Sequence, residues 1–155
     1  MDCYIKTKEA ITTNQTKDEV CVLNYEDEVL RAFGESAPVH VVWFSSARKL
    51  AEGFYLDGEE IFYAHDGNTE KVINVNDLNL LGRHNYENVM AATAMSVNFG
   101  VPMEKIVEVL KRFQAVEHRI EYVTEKRGVR FYNDSKGTNP DAAIQGIRAM
   151  NVQRF

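Results

Sequence analysis

A polar segment near the carboxyl end of the chain, residues 133–139, combines residue types that bind anions. It reads NDSKGTN and lies between a predicted strand and a predicted helix start. At such a junction, free backbone N–H groups and the helix dipole favour a phosphate or a carboxylate. Lys136 would supply a point charge and Thr138 a hydroxyl donor. A polar turn that ends in a helix cap explains the same residues, so both interpretations stay open.

A second polar cluster, residues 82–88, reads GRHNYEN and also lies at a predicted start of a helix. Asn85 and Asn88 are three residues apart, so a helix would place them on one face. Their carboxamides offer both a donor and an acceptor, which suits the edge of an adenine. The alternative is that Asn85 caps the helix and Asn88 is an ordinary surface residue.

Short apolar runs predict the strands that position these clusters. Continuous runs at 20–24 and 39–45 indicate strands covered on both faces, with His40 in the core. An alternating segment at 54–63 carries Asp57-Gly58 and predicts a hairpin. His65 is expected in a solvated hairpin loop. The remaining elements predicted before residue 80 are a helix at 5–13, a helix at 27–33 ended by Gly34, and a strand at 71–74.

The pattern changes near residue 117. Before it, Gly100 and Pro102 separate two predicted helices, the second at 103–113. After it, residues 120–134 alternate around a turn near Arg127-Gly128 and predict a hairpin. Asn139-Pro140-Asp141 then predicts a helix start. A domain boundary is therefore predicted between 1–117 and 118–155. Glu117, His118 and Arg119 lie at this joint, where ligand sites often form, although a solvated linker fits them equally well.

Composition excludes several classes of protein. The apolar fraction of 45% is enough for a folded core. The net charge of −5 argues against a nucleic-acid surface. No apolar run approaches the roughly 20 residues that span a bilayer, so no membrane span is predicted. Cys3 and Cys21 are too few for a disulfide scaffold, and two reduced thiols are typical of a cytoplasmic protein. The sequence contains no G-x-x-x-x-G-K-[ST] phosphate loop.

The two clusters together resemble the Mur ligase family of ATP-dependent amino-acid ligases. The segment GRHNYENVMAATA at 82–94 is similar to the family pattern G-x-HN-x-x-N-x-x-AA. HRIEYV at 118–123 and NDSKGTNPDA at 133–142 resemble the branch that adds D-glutamate. The resemblance implies an α/β fold. Residues 1–117 would be the latter part of a central ATPase domain, a mixed sheet with flanking helices, and 118–155 the start of a Rossmann-like C-terminal domain.

The resemblance also implies a reaction. D-Glutamate would be joined to UDP-N-acetylmuramoyl-L-alanine through an acyl phosphate, with ATP and Mg²⁺, in bacterial peptidoglycan synthesis. Of the implied nucleotide-binding residues, Asn88 would contact adenine and Asn85 would support the loop. Arg119 and Asp134 would reach the ribose and phosphates. Lys136 would lie near the transferred phosphate, Thr138 would bind D-glutamate, and His118 would orient the interdomain joint.

Lys8 is the metal-site residue that the resemblance implies. Tyr4-Ile5-Lys6-Thr7-Lys8 fits a Tyr-x-x-x-Lys stretch whose lysine is carbamylated and helps to hold magnesium. The family places several more residues between its Met-Asp and this lysine, and they are absent here, so the role of Lys8 as a magnesium ligand stays open.

The resemblance further implies that the phosphate loop and the UDP-binding domain lie outside these 155 residues. The chain is therefore expected to be an internal fragment with no ligase activity and little affinity for ATP. Two alternatives remain: a non-catalytic nucleotide-binding or regulatory module on the same scaffold, and a Mur ligase of different amino-acid specificity.

Overall fold

The computed structural model describes residues 2–114, 117–138 and 140–150. Within these ranges the chain forms five α-helices and seven strands. The helices are α1 (Asp2–Glu9), α2 (Glu28–Ser36), α3 (Arg83–Asn98), α4 (Met103–Arg112) and α5 (Pro140–Ala149). The strands are β1 (Val20–Asn24), β2 (His40–Ser45), β3 (Gly53–Asp57), β4 (Glu60–His65), β5 (Asn68–Asn74), β6 (Glu121–Lys126) and β7 (Val129–Asn133). Short 3-10 turns occupy Ala10–Thr12 and Val75–Asp77.

The first five strands form one mixed sheet in the order β1-β2-β3-β4-β5. The pairs β1–β2 and β2–β3 are parallel, whereas β3–β4 and β4–β5 are antiparallel. Strands β6 and β7 form a separate antiparallel hairpin. The predicted α/β fold with a mixed sheet and flanking helices is confirmed. None of the helices in the described ranges is long and apolar enough to cross a membrane.

The apolar runs of β1 and β2 are continuous because each strand is covered on both faces. Val42 and its neighbours pack with Val89 and Met90 of α3 in the main core. On the other face, Cys21 and Leu23 form a smaller core, against which residues of α2 pack. Helix α3 therefore lies directly on the sheet, and the sheet fixes where its first turn points.

Helix α2 does not end at Gly34, as the sequence suggested, but runs two residues further to Ser36. A Cβ atom placed on Gly34 would lie 2.3 Å from Cη2 of Trp43. The missing side chain at Gly34 therefore admits the Trp43 ring, and that contact explains the glycine better than a helix stop. Asp27 caps the start of the helix, and its carboxylate accepts hydrogen bonds from the N–H groups of Val29 and Leu30 at 2.9 and 3.0 Å.

Two histidine environments differ from the sequence interpretation. His40 is exposed, because it is the first residue of β2 and lies beyond the covered part of the sheet. His65 was expected in a solvated loop, but it is the last residue of β4, is half-buried and stacks on Tyr63 with ring centroids 4.4 Å apart.

Both predicted hairpins are confirmed. Gly58 has φ 60° in the turn between β3 and β4. Arg127 and Gly128 have φ 55° and 79°, the left-handed pair that a two-residue hairpin turn demands. Strand β5 starts three residues earlier than predicted because its polar first half pairs with β4. Helix α5 begins at Pro140 as predicted, while the proposed cap at Asn139 lies outside the described residues.

Candidate functional site

A cavity of ≈ 570 Å³ lies between the start of α3 and the β6–β7 hairpin. The loop before α3 forms one wall with Asn79, Leu81 and Asn85. The segment leading into β6 and the hairpin itself form the opposite wall. That wall comprises Arg119, Ile120, Glu121, Tyr122, Glu125, Arg130 and Tyr132. The structure thus brings together Asn85 and Arg119, two of the residues predicted to contact a nucleotide.

Asn85 is held in place by the loop that precedes its helix. Its side-chain Nδ2 donates a hydrogen bond to the carbonyl oxygen of Leu81 at 2.7 Å. The helix N-cap is Gly82, with φ 94°, so the alternative of Asn85 as N-cap is wrong. Glycine is required there, because a Cβ on Gly82 would lie 2.5 Å from Cβ of Ala149 in α5. The first turn of α3 therefore touches the end of α5 without an intervening side chain.

Asn88 points away from this cavity. It is exposed and lines a groove of ≈ 410 Å³ between α3 and α4, together with Ile106, Leu110 and Phe113. The groove is predominantly apolar. The structure therefore separates the two asparagines that the sequence placed on one face, since Asn85 is on the hairpin side of α3 and Asn88 on the α4 side.

Asp134 fixes the loop after β7. Its Oδ1 accepts a hydrogen bond from the N–H of Ile120 at 3.1 Å, and its carbonyl oxygen accepts one from the N–H of Gly137 at 2.8 Å. A Cβ on Gly146 would lie 2.7 Å from Asp134 Oδ2, so α5 packs directly on this carboxylate. Asp134 consequently links the residue before β6, the loop after β7 and helix α5.

Lys136 and Thr138 lie on the loop that Asp134 organises. The N–H of Lys136 donates to the carbonyl oxygen of His118 at 3.0 Å, and that of Thr138 to the carbonyl oxygen of Lys136 at 2.9 Å. Both residues are exposed. These backbone bonds fix the loop and leave the ammonium and hydroxyl groups accessible to a ligand.

His118 adopts a left-handed backbone with φ 67° at the same joint. Its Nδ1 lies 2.8 Å from Nδ2 of Asn133, and its N–H donates to Oε2 of Glu121 at 2.8 Å. A left-handed backbone at a non-glycine residue costs about 1 kcal/mol. The hydrogen bonds around His118 therefore hold its backbone in this conformation.

The sequence interpretation missed His84 and Glu87 as individual site residues, although both lie within the 82–88 cluster. They line a cavity of ≈ 790 Å³ with Arg83 and Arg148. Burial lowers the pKa of His84, the positive charge of Arg119 lowers it further, and the charges of Glu87 and Asp134 oppose that shift. The titratable residues His84 and Glu87 within GRHNYEN were the available signal.

Lys8 lies elsewhere. It is exposed on α1, with its Nζ 5.5 Å from the centre of the Tyr4 ring. It lines a groove of ≈ 470 Å³ beside α2 that also includes Glu9 and Asp27. That groove does not include Asn85, Arg119, Asp134 or Lys136. In the described part of the chain, no three His, Cys, Asp or Glu side chains cluster as metal ligands would.

Comparison with known proteins gives the family. The model of the Mur ligase middle domain matches residues 1–96. The chain belongs to the Mur ligase family. A relative named UDP-N-acetylmuramoylalanine–D-glutamate ligase from Lachnospira eligens is 56% identical, over 97% of this chain and 33% of the relative. A relative of the same name from Lachnoclostridium phytofermentans is 52% identical, over 99% of this chain and 34% of its own length. This Mur ligase chain spans about a third of the length of these relatives.

Solved structures agree on the fold of this Mur ligase chain. UDP-N-acetylmuramoylalanyl-D-glutamyl-2,6-diaminopimelate–D-alanyl-D-alanyl ligase from Acinetobacter baumannii superposes with a TM-score of 0.74 at 19% identity. The match covers 99% of this chain and 34% of the other. A pseudomurein peptide ligase type C from Methanothermus fervidus gives a TM-score of 0.69 at 18% identity, over 98% of this chain and 38% of the other. At such identities the likeness concerns the fold alone.

Proposed function

We propose that this chain is part of a UDP-N-acetylmuramoyl-L-alanine:D-glutamate ligase. The observation that carries the proposal is the 52–56% identity to relatives of that name across 97–99% of the chain. In this proposal, residues 1–117 belong to a central ATP-binding domain and 118–155 begin a C-terminal domain. The ≈ 570 Å³ cavity would then lie at the interdomain joint, the usual location of a ligand site.

The cavity has the chemistry to hold a nucleoside. Asn85 supplies a carboxamide, Arg119 a positive guanidinium, and Tyr122 and Tyr132 aromatic surface on the hairpin. A flat base stacks favourably on such rings, and a guanidinium attracts phosphate oxygens. We assign the adenine side to Asn85 and the ribose and phosphates to Arg119 and Asp134, whereas Asn88 faces the separate groove beside α4. Asp134 would act largely through the loop that it holds, because its Oδ1 is already bonded to Ile120.

In the proposed reaction, ATP supplies the phosphoryl group that activates the carboxylate of UDP-N-acetylmuramoyl-L-alanine, and the amine of D-glutamate then displaces phosphate to form the amide. The chain contributes positioning and charge neutralisation, which dominate catalysis of phosphoryl transfer. The ammonium of Lys136 would neutralise charge on the transferred phosphate, and Thr138 would donate a hydrogen bond to D-glutamate. His118 would hold the joint, since its carbonyl oxygen accepts the N–H of Lys136. Because this reaction consumes ATP, we also propose a cytoplasmic location.

The groove beside Lys8 is the candidate magnesium site. Near Lys8, the groove contains the carboxylates of Glu9 and Asp27, and a carbamate on Lys8 would add another. The groove is otherwise lined largely by apolar side chains, and it is separate from the cavity that contains Arg119. The described residues do not by themselves form the oxygen-rich octahedral site that magnesium demands. Lys8 as a carbamylated ligand remains a proposal, and no step of the reaction is assigned to it.

The test is the amino-acid specificity of the full-length enzyme that contains this sequence. Phosphate release from ATP would be followed with UDP-N-acetylmuramoyl-L-alanine and D-glutamate. The same assay would be repeated with L-glutamate or diaminopimelate in place of D-glutamate, and with L-alanine and UDP-N-acetylmuramate. We expect turnover only in the reaction that contains D-glutamate together with UDP-N-acetylmuramoyl-L-alanine and ATP. Turnover with another amino acid would assign the chain to a different Mur ligase, and nucleotide binding without any turnover would favour a non-catalytic module.

A further inference from the structure

Two adjacent serines at the end of β2 each donate a hydrogen bond to a glutamate side chain in a different part of the chain. Ser45 is completely buried, and its Oγ donates to Oε1 of Glu26 at 2.7 Å, just after β1. Ser46 is 4% exposed, and its Oγ donates to Oε1 of Glu87 in α3. These bonds connect the carboxyl end of β2 to the loop that follows β1 and to α3.

The start of α3 is bonded to the end of β2 through Glu87, in addition to the bond from Asn85 to Leu81 and the packing of Val89 and Met90 in the core. Its N-cap, Gly82, offers no side chain to the free N–H groups of the first turn, and that turn contains no acidic residue. Glu87 lies one turn into the helix, between Asn85 and Asn88. A hydrogen bond from a buried hydroxyl to a carboxylate is among the stronger side-chain interactions and is directional.

We infer that Ser46 and Glu87 form a positioning pair for nucleotide binding. The pair holds the first turns of α3 against the carboxyl end of β2 and so sets the distance of Asn85 from the opposite wall of the cavity. Neither residue lines that cavity, so the pair acts through the helix and not by touching the nucleotide. This inference rests on the proposed function, because it assigns the adenine side to the start of α3.

The variants Ser46→Ala and Glu87→Ala in the full-length ligase test the inference. Each is expected to raise KM for ATP about tenfold, which corresponds to a loss of about 1.4 kcal/mol of binding. KM for D-glutamate and kcat at saturating ATP should stay within about twofold of the wild type. Glu87→Gln retains an oxygen that accepts the Ser46 hydroxyl and should restore most of the affinity for ATP. Glu104→Ala, an exposed carboxylate at the start of α4, is the matched control and should leave KM unchanged.

The double variant separates a positioning role from a loss of stability. If the two residues act as one pair, Ser46→Ala combined with Glu87→Ala should raise KM for ATP no further than either change alone. Additive effects would overturn the inference, and so would a uniform loss of kcat with both KM values unchanged. An unchanged KM for ATP in either alanine variant would also overturn it. If instead the wild-type enzyme shows no D-glutamate-dependent turnover, the proposed function itself fails, which is a distinct result.

Discussion

The backbone N–H of Ile120 donates a hydrogen bond to Oδ1 of Asp134 at 3.1 Å. Ile120 lies before β6 and Asp134 directly after β7, so this bond closes the open end of the hairpin. Since Ile120 is buried, its N–H has no easy access to water if the carboxylate is removed.

Asp134→Ala should therefore lower the free energy of unfolding by about 1–3 kcal/mol, the cost of leaving a buried donor unsatisfied. Asp134→Asn keeps an oxygen at the same position and should lose less. Urea denaturation of both variants measures the difference. Equal losses in the two variants would show that charge, and not the bond to Ile120, accounts for the effect.

Gly34→Ala should destabilise the chain, although alanine normally favours a helix over glycine. The added Cβ would lie 2.3 Å from Cη2 of Trp43, so either the ring or α2 must shift. We expect a loss of about 1–3 kcal/mol, as overpacking in cores typically gives. The exposed neighbour Glu35→Ala is the control and should change stability little. In a Trp43→Phe background, thermal denaturation should show a smaller cost for Gly34→Ala, because the offending ring atoms are gone.

Arg48 should stabilise the fold in a pH-dependent manner. Its Nε and Nη2 each donate to the Glu26 carboxylate at 2.8 Å, and this pairing lowers the pKa of Glu26. A carboxyl whose pKa is lower in the folded chain contributes stability above its unfolded pKa of about 4.3 and loses it as pH falls through the folded value. Arg48→Ala should thus lower the urea midpoint at neutral pH. The difference from the wild type should shrink below about pH 4, while the exposed Lys17→Ala should show no such trend.

The pKa of His84 should respond in opposite directions to two charge removals. Arg119→Ala removes a positive charge and should raise it, whereas Glu87→Gln removes a negative charge and should lower it further. The imidazole C–H resonance of His84, followed by NMR through a pH titration, reports both shifts. Shifts of the same sign would mean that burial, the largest cause of the depressed pKa, had changed in both variants.

The isolated 155-residue chain should release no phosphate in response to D-glutamate and UDP-N-acetylmuramoyl-L-alanine. It contains Lys136 but no G-x-x-x-x-G-K-[ST] loop to surround the phosphates of ATP. Turnover above background by the purified chain would refute this expectation, and titration with ATP in a calorimeter would show whether any affinity remains.

Local patterns predicted most elements of the fold, whereas contacts between distant residues explain the errors. Asp57-Gly58 and Arg127-Gly128 demand particular backbone angles, so their hairpins followed from the residues alone. Gly34 was misinterpreted because the ring that packs on it comes from β2, and the sequence does not reveal that partner.

For the candidate site too, local patterns succeeded and contacts between distant residues were missed. Residue types and spacing identified both polar clusters, but helical spacing alone placed Asn85 and Asn88 together. In the structure α4 packs beside α3, and the two side chains therefore face different cavities. The role proposed for Glu87 could not be inferred from the sequence, because its partner Ser46 is distant in sequence and lies at the end of β2.

The connection through His118 and Ile120, with φ 67° and 50°, has a mechanical consequence. One wall of the ≈ 570 Å³ cavity comes from the start of α3 and the loop before it, and the other largely from the β6–β7 hairpin, which shares no strand pairing with the five-stranded sheet. A small rotation about this connection would widen or narrow the cavity without breaking the hydrogen bonds between strands in either sheet. The backbone angles at His118 and Ile120 therefore set the spacing between the first turn of α3 and the β6–β7 hairpin.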